Sequence, residues 1–286
     1  MTNPVCLSPL KFYDKIAKQS HRKTYAYGHI SPLIVKLHSI PSFQFVLKQN
    51  SNLSSAYLRD KDDKRVTADI SQSLKEGSLS VSLYDDRYYV VVFRGIFPIA
   101  EVIYEGYYYL ELIFENGDSY YSEMFCFTNS VDDCLEIEYW NSTNNFYIKD
   151  GIIAFPEGFH FKLLLKTEIG KPEYNFEEEG TKRLGYNFIE SQVSKKIYKF
   201  NAVVPEYICD ALRLIRLCDN KIIRSKGDEF EAISFDMEVE WQTQGDLASV
   251  NCEFETDNII ANLGGFIPDK KGGDYNSDYN NDYDIE

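Results

Sequence analysis

Residues 233–255 alternate more regularly than any other part of the chain, and that alternation restricts what it can become. Ile233, Phe235, Met237, Val239 and Trp241 occupy every second position, with Ser234, Asp236, Glu238, Glu240 and Gln242 between them. After a turn around Gly245, Val250, Cys252 and Phe254 alternate with Ser249, Asn251, Glu253 and Glu255. A period of two places one set on each face of a strand, so this segment reads as a hairpin with one buried and one wet face.

The same pattern recurs upstream. Leu79, Val81 and Leu83 alternate with serines, and Tyr88–Phe93 is a nearly continuous apolar run expected to be buried on both faces. Tyr108, Leu110, Leu112 and Phe114 share a face ahead of Asn116–Gly117, a dipeptide suited to a type I′ turn, and a return strand runs from Tyr120 to Phe127. Phe159, Phe161, Leu163 and Leu165 alternate, Glu177–Gly180 reads as a loop, and Lys195–Val203 as a strand. With 22 Tyr and 19 Phe among 286 residues, the composition suits pleated, half-buried surfaces. One helix interrupts the strands. Pro205 suits a first helical position, and Ile208, Ala211, Leu212 and Ile215 recur at helical spacing.

The expected fold is therefore mostly β: two β-sandwich-like domains, the second with one packed α-helix. A basic N-terminal arm covers 1–41, a β-sandwich domain 42–129, and a β-rich domain with helix 205–217 covers 130–267. An acidic Asp/Tyr tail, 268–286, is too polar to build a core and is expected to be disordered. The arm is irregular, with one short helix around Lys11–Gln19.

The formal charge of −15 argues against direct nucleic-acid binding. The arm departs from that balance: Lys11, Lys15, Lys18, Arg22, Lys23 and Lys36 stand against Asp14 alone. It reads either as a solvated segment or as an assembly arm that docks on an acidic neighbour. No signal-peptide pattern or membrane-length apolar run is found, so synthesis and folding in the cytoplasm without membrane insertion are expected. Cys6, Cys126, Cys134, Cys209, Cys218 and Cys252 lack CxxC spacing and read as reduced core residues.

No phosphate loop, dinucleotide fingerprint or nucleophile elbow is found. His21, His29, His38 and His160 are dispersed, without metal spacing. Asp85–Asp86, Asp132–Asp133 and Glu177–Glu179 are adjacent carboxylates that read as solvated turns. The tail's Asp repeat does not match a calcium loop. No catalytic residue, cofactor or metal is expected. Tyr107, Tyr109, Tyr120 and Tyr121, on or near one hairpin, form a candidate recognition patch, since tyrosine is enriched at binding surfaces.

Three stretches together resemble uncharacterised proteins of Bacteroidetes phages and prophages, including crAss-like gut phages. They are FYDKIAKQSHRKTYAYGHISPL with IPSFQF, GYYYLELIFENGDSYYSEMFCF, and KIYKFNAVVPEYICDALRLIRLCDN with ISFDMEVEWQTQGDLASVNCEFETD. The resemblance covers most of the chain ahead of the tail and implies a virion component of tail, baseplate or neck, assembled in the host cytoplasm. Its implied partners are other virion proteins and copies of itself in a symmetric ring or adaptor. The alternative is a host-recognition module binding a surface glycan or receptor through the tyrosine patch.

Overall fold

The computed structural model describes residues 5–6, 8–14, 33–37, 39–85, 88–95, 103–142, 145–148, 151–183, 186–241, 247–256 and 260–263. Strands dominate, as the period of two requires. By contacts the chain divides into a larger unit, Met1–Glu173 with Ile197–Asp257, and a smaller one, Tyr174–Lys196 with Asn258–Glu286. Residue 130, the expected boundary, lies inside the larger unit.

In the larger unit a long mixed sheet carries the core. Its strands are β2 (Phe12–Asp14), β3 (Leu33–Lys36), β5 (Leu53–Asp60), β8 (Gly106–Phe114), β9 (Ser119–Ser122), β10 (Phe125–Thr128), β11 (Leu135–Trp140), β14 (Phe161–Leu165), β17 (Asn220–Ser225), β18 (Asp228–Trp241), β19 (Leu247–Thr256) and the last residues of β16 (Tyr186–Pro205). From β16 the order is β19, β18, β17, β11, β14, β3, β10, β8, β9, β2, with β5 on the other edge of β8. β3 and β14 meet at Ile34–Leu164, which joins strands from both sides of residue 130.

A second sheet, with β7 (Tyr88–Phe93) between β4 (Phe43–Leu47) and β6 (Ser80–Asp85), packs across the first. Phe43 and Phe45 place their rings 4.7 and 4.6 Å from Phe12, and Phe45 lies 5.1 Å from Tyr120. This is sandwich packing, with Val90–Phe93 buried as the apolar run predicts. A third sheet pairs β1 (Val5–Cys6) and β12 (Asn145–Ile148) with β13 (Gly151–Ala154).

Helix α1 (Ser71–Glu76) is short and was not foreseen; its buried face contributes Leu74. Helix α2 (Glu206–Leu217) begins one residue later than expected, because Pro205 is its N-cap, in extended conformation, rather than its first helical residue. Its apolar stripe, including Ile208, Leu212 and Ile215, lies against β18 and β19.

Several local expectations are corrected. Ile233 does not share the face of Phe235: it sits at a β-bulge where Ala232 pairs with Thr256 and Ser234 with Glu255, and it is 48% exposed. The bulge shifts the alternation, so Phe230 and Ala232 face inward before it and Phe235, Met237 and Val239 after it. Asn116–Gly117 does not form a type I′ turn. Gly117 has a φ of +88° but Asn116 has no positive φ, and Gly117 N donates to Phe114 O in a three-residue loop. The two-residue turn with both φ positive is Lys226–Gly227, between β17 and β18.

The smaller unit comprises β15 from Tyr174 to Arg183, the first half of β16, and β20 (Ile260–Leu263). Glu177–Gly180, expected as a loop, lies in the middle of β15 (Glu173–Arg183). Two of the acids on this strand have side-chain partners on β16: Lys195 donates to Glu177 at 3.0 Å and Gln192 to Glu178 at 2.8 Å.

Candidate functional site

The described part of the basic arm is built into the sheets. Phe12–Asp14 is an edge strand rather than the start of a helix, and Leu33–Lys36 lies inside the sheet between β10 and β14. Leu10, Leu33, Val35 and Ile40 are buried. Lys11 reaches Asp210 of α2 at 3.2 Å. Lys15, Lys18, Arg22 and Lys23 lie outside the described residues, as does the tail 268–286.

Lys11, Tyr13 and Leu33 contribute to one buried cluster around Glu123 and Tyr207. Glu123 lies between β9 and β10, and its N–H donates to Lys11 O at 2.8 Å. The Glu123 side chain accepts a 2.5 Å hydrogen bond from Tyr13 Oη. Leu33 N donates to Tyr207 Oη, on α2, at 3.3 Å. Burial pushes the Glu123 carboxyl up from 4.5 to about 7, despite the opposing Tyr13 hydrogen bond and Lys11 charge. Burial also drives the Tyr13 and Tyr207 hydroxyls far above their ordinary range, with Glu123 adding to both shifts.

The four hairpin tyrosines do not form an exposed patch. Tyr107 and Tyr109 share a face as alternation requires, but Tyr109 is 3% exposed and Tyr121 8%, against 49% for Tyr107. The turn 60–65 covers Tyr109, whose hydroxyl donates to Asp63. Tyr120 points to the opposite face, 5.7 Å from the Phe114 ring. Between the buried tyrosines lies Glu111, held by Arg59 Nε and Nη2 at 2.8 and 3.0 Å and by Arg65 Nε at 3.0 Å. Burial alone would raise the Glu111 carboxyl, but these hydrogen bonds and charges outweigh it and leave it below its ordinary value. Arg65 also stacks on Tyr57, 3.7 Å from the ring centroid.

His160 is hydrogen-bonded. Its Nδ1 is 2.8 Å from Glu138 Oε1, and its ring stacks on Trp140 at 4.1 Å. Arg224 donates to Glu138 at 2.6 Å and Lys162 lies 3.5 Å away. Burial raises the Glu138 carboxyl, and the Arg224 and His160 hydrogen bonds with the neighbouring positive charges more than reverse it. An anion committed to three basic groups is a structural counter-ion rather than a free general base.

An open groove of about 780 Å³ crosses the polar face of β16, β19 and β18, lined by Glu168, Lys199, Asp236, Glu238 and Glu253. Lys199 is tied to Glu173 at 2.7 Å. Among the described residues no group of three or more His, Cys, Asp or Glu could hold a metal ion. Among them, too, no helix is long and apolar enough to cross a membrane.

The smaller unit carries an exposed apolar face. Gln192 meets Glu178, and Lys196 Nζ lies 6.0 Å from the Tyr174 ring, so 174, 178, 192 and 196 share one face. Phe176 falls between 174 and 178 on that face, and Ile260 joins it opposite Ser194. Tyr174, Phe176 and Ile260 are 59%, 68% and 72% exposed. The opposite face is polar, with Lys195–Glu177 and Ser191–Glu179 contacts beside Val193 and Ile189.

Sequence reasoning missed the Glu123, Glu111 and Glu138 clusters because their partners are distant along the chain. One signal was present: Glu111 interrupts the apolar run Tyr107–Phe114, and a charge there needs a partner. No protein family, curated protein or solved structure matches this chain.

Proposed function

We propose that this chain is a structural protein of a bacteriophage virion, a tail, baseplate or neck component that works by protein–protein assembly. The observation that carries the reading is the aromatic face of the smaller unit. A thin sheet that leaves Tyr174, Phe176 and Ile260 in water has a surface suited to burial against another chain. The resemblance to Bacteroidetes phage proteins supplies the particle. The −15 charge accords with protein rather than nucleic-acid partners.

In this reading no chemistry is required of the His160 or Glu123 clusters. Recognition of a host glycan through the four hairpin tyrosines is not retained, since Tyr109 and Tyr121 are buried. The test is mass spectrometry of purified particles of the encoding phage. The chain should be present in multiple copies with tail or neck proteins. Fully infectious particles that lack it would overturn the proposal.

A further inference from the structure

The face of β15, β16 and β20 that bears Tyr174, Phe176 and Ile260 is asymmetric in charge along its strands. At one end Lys196 sits beside Tyr174; at the other Glu178 accepts from Gln192. An apolar stripe with a cation at one end and an anion at the other is complementary to itself when reversed.

We propose that this face docks on the same face of a second copy, about a two-fold axis lying between the two sheets and perpendicular to their strands. That operation reverses one stripe against the other. It brings Lys196 of each copy to the end of its mate that bears Gln192 and Glu178, and stacks Phe176 and Ile260 on their counterparts. A contact of this kind is isologous and closed, so it yields dimers rather than fibres. The opposite face is a poorer dock, because its cation Lys195 is already paired with Glu177 within the same copy, whereas Lys196 lies over the Tyr174 ring.

The proposal rests on the assembly reading and names its partner. The strands are about 36 Å long, from 11 residues at ~3.3 Å each. Two neighbouring strands about 5 Å apart, with the short β20, then give a face of roughly 400 Å² per copy. That is below a standard interface, so a dissociation constant in the micromolar range or weaker is expected, with repetition in a particle adding avidity.

The experiment is sedimentation equilibrium of the full chain up to millimolar concentration. A monomer–dimer equilibrium is expected. Phe176→Asp should weaken it by about tenfold or more. Its thermal transition should not move, since Phe176 is 68% exposed and outside the core. Glu178→Lys and Lys196→Glu should each weaken it, and the double variant should restore it. A wild-type monomer throughout, or a dimer indifferent to Phe176→Asp, would overturn the proposal. So would a wild-type monomer that dimerises once residues 264–286 are removed, because the chain's own tail would then be the occupant. A strictly monomeric chain found in purified particles would end the homotypic contact and leave the assembly reading standing. A dimer missing from infectious particles would do the reverse.

Discussion

Replacing Glu123 by Gln should make the protein more stable, by a margin that grows as pH rises from about 4.5 to 8. The carboxyl is 3% exposed and sits where β9 turns into β10, facing Tyr13 and Lys11, with Tyr207 of α2 close by. Its ordinary value of 4.5 is raised to about 7 in the fold. The folded state therefore holds a proton that the unfolded chain releases between those values, so stability falls as pH rises through the interval. At 1.36 kcal/mol per pH unit the full penalty is about 3 kcal/mol, absent at pH 4.5 and complete near pH 8. Gln keeps the amide oxygen that accepts from Tyr13 and removes the charge. Urea unfolding of both proteins from pH 4.5 to 8.5 measures the effect, and the difference between them cancels the titration of other groups. The variant's advantage should grow with pH from near zero to about 3 kcal/mol. A difference that stays flat, or grows toward acid, would show that Glu123 is ionised in the fold and refute the argument.

Glu111 has the opposite sign. Arg59 and Arg65 hold it below its ordinary value, so its contribution is complete above 4.5 and disappears as pH falls through the lower folded value. Glu111→Ala should cost about 3 kcal/mol at pH 7 by stranding the two guanidinium groups, with the deficit shrinking below pH 4 in acid titrations of unfolding. Among the described cysteines, half-buried Cys126 should be alkylated first. Buried Cys209, Cys218 and Cys252, raised to about 11, 12 and 12, should resist alkylation at pH 8 until the chain unfolds; mass spectrometry of labelled peptides distinguishes them.

The strands were legible in the sequence wherever a side chain's face decides its burial. Phe161–Leu165 and Tyr88–Phe93 lie where their patterns put them, and so does the stripe of α2. The reading failed where a single backbone conformation changes the phase. Nothing local marks Ile233 as a bulge, because it reads as the first member of the odd-numbered apolar series Phe235, Met237, Val239, while Phe230 and Ala232 alone are too short a run to reveal the even phase before it. Turn chemistry misled in the same way: Asn116 keeps a negative φ, its Oδ1 accepting from Asp118 N, while Lys226–Gly227 takes the conformation that the Asn–Gly pair advertises. Tyr109 was assigned to the correct face, but a turn 46 residues earlier in the chain covers it, and no periodicity records that.

The misreading of Glu177–Gly180 bears on the proposed site. Three consecutive acids and a glycine disfavour a strand by propensity, and in a central strand they would be destructive. Among the described strands β15 lies at the edge of its sheet, where charged side chains discourage edge-to-edge pairing with another chain. The same acids that make the segment look like a loop thus guard the strand's open backbone edge while Phe176 and Tyr174 remain exposed on its face. A strand that only needed to avoid aggregation would carry polar residues at 174 and 176 as well. Charge at the edge with aromatics on the face favours face-to-face contact over strand addition, so Phe176→Asp should weaken association about tenfold or more whereas neutralising Glu177 and Glu179 should promote strand-mediated aggregation.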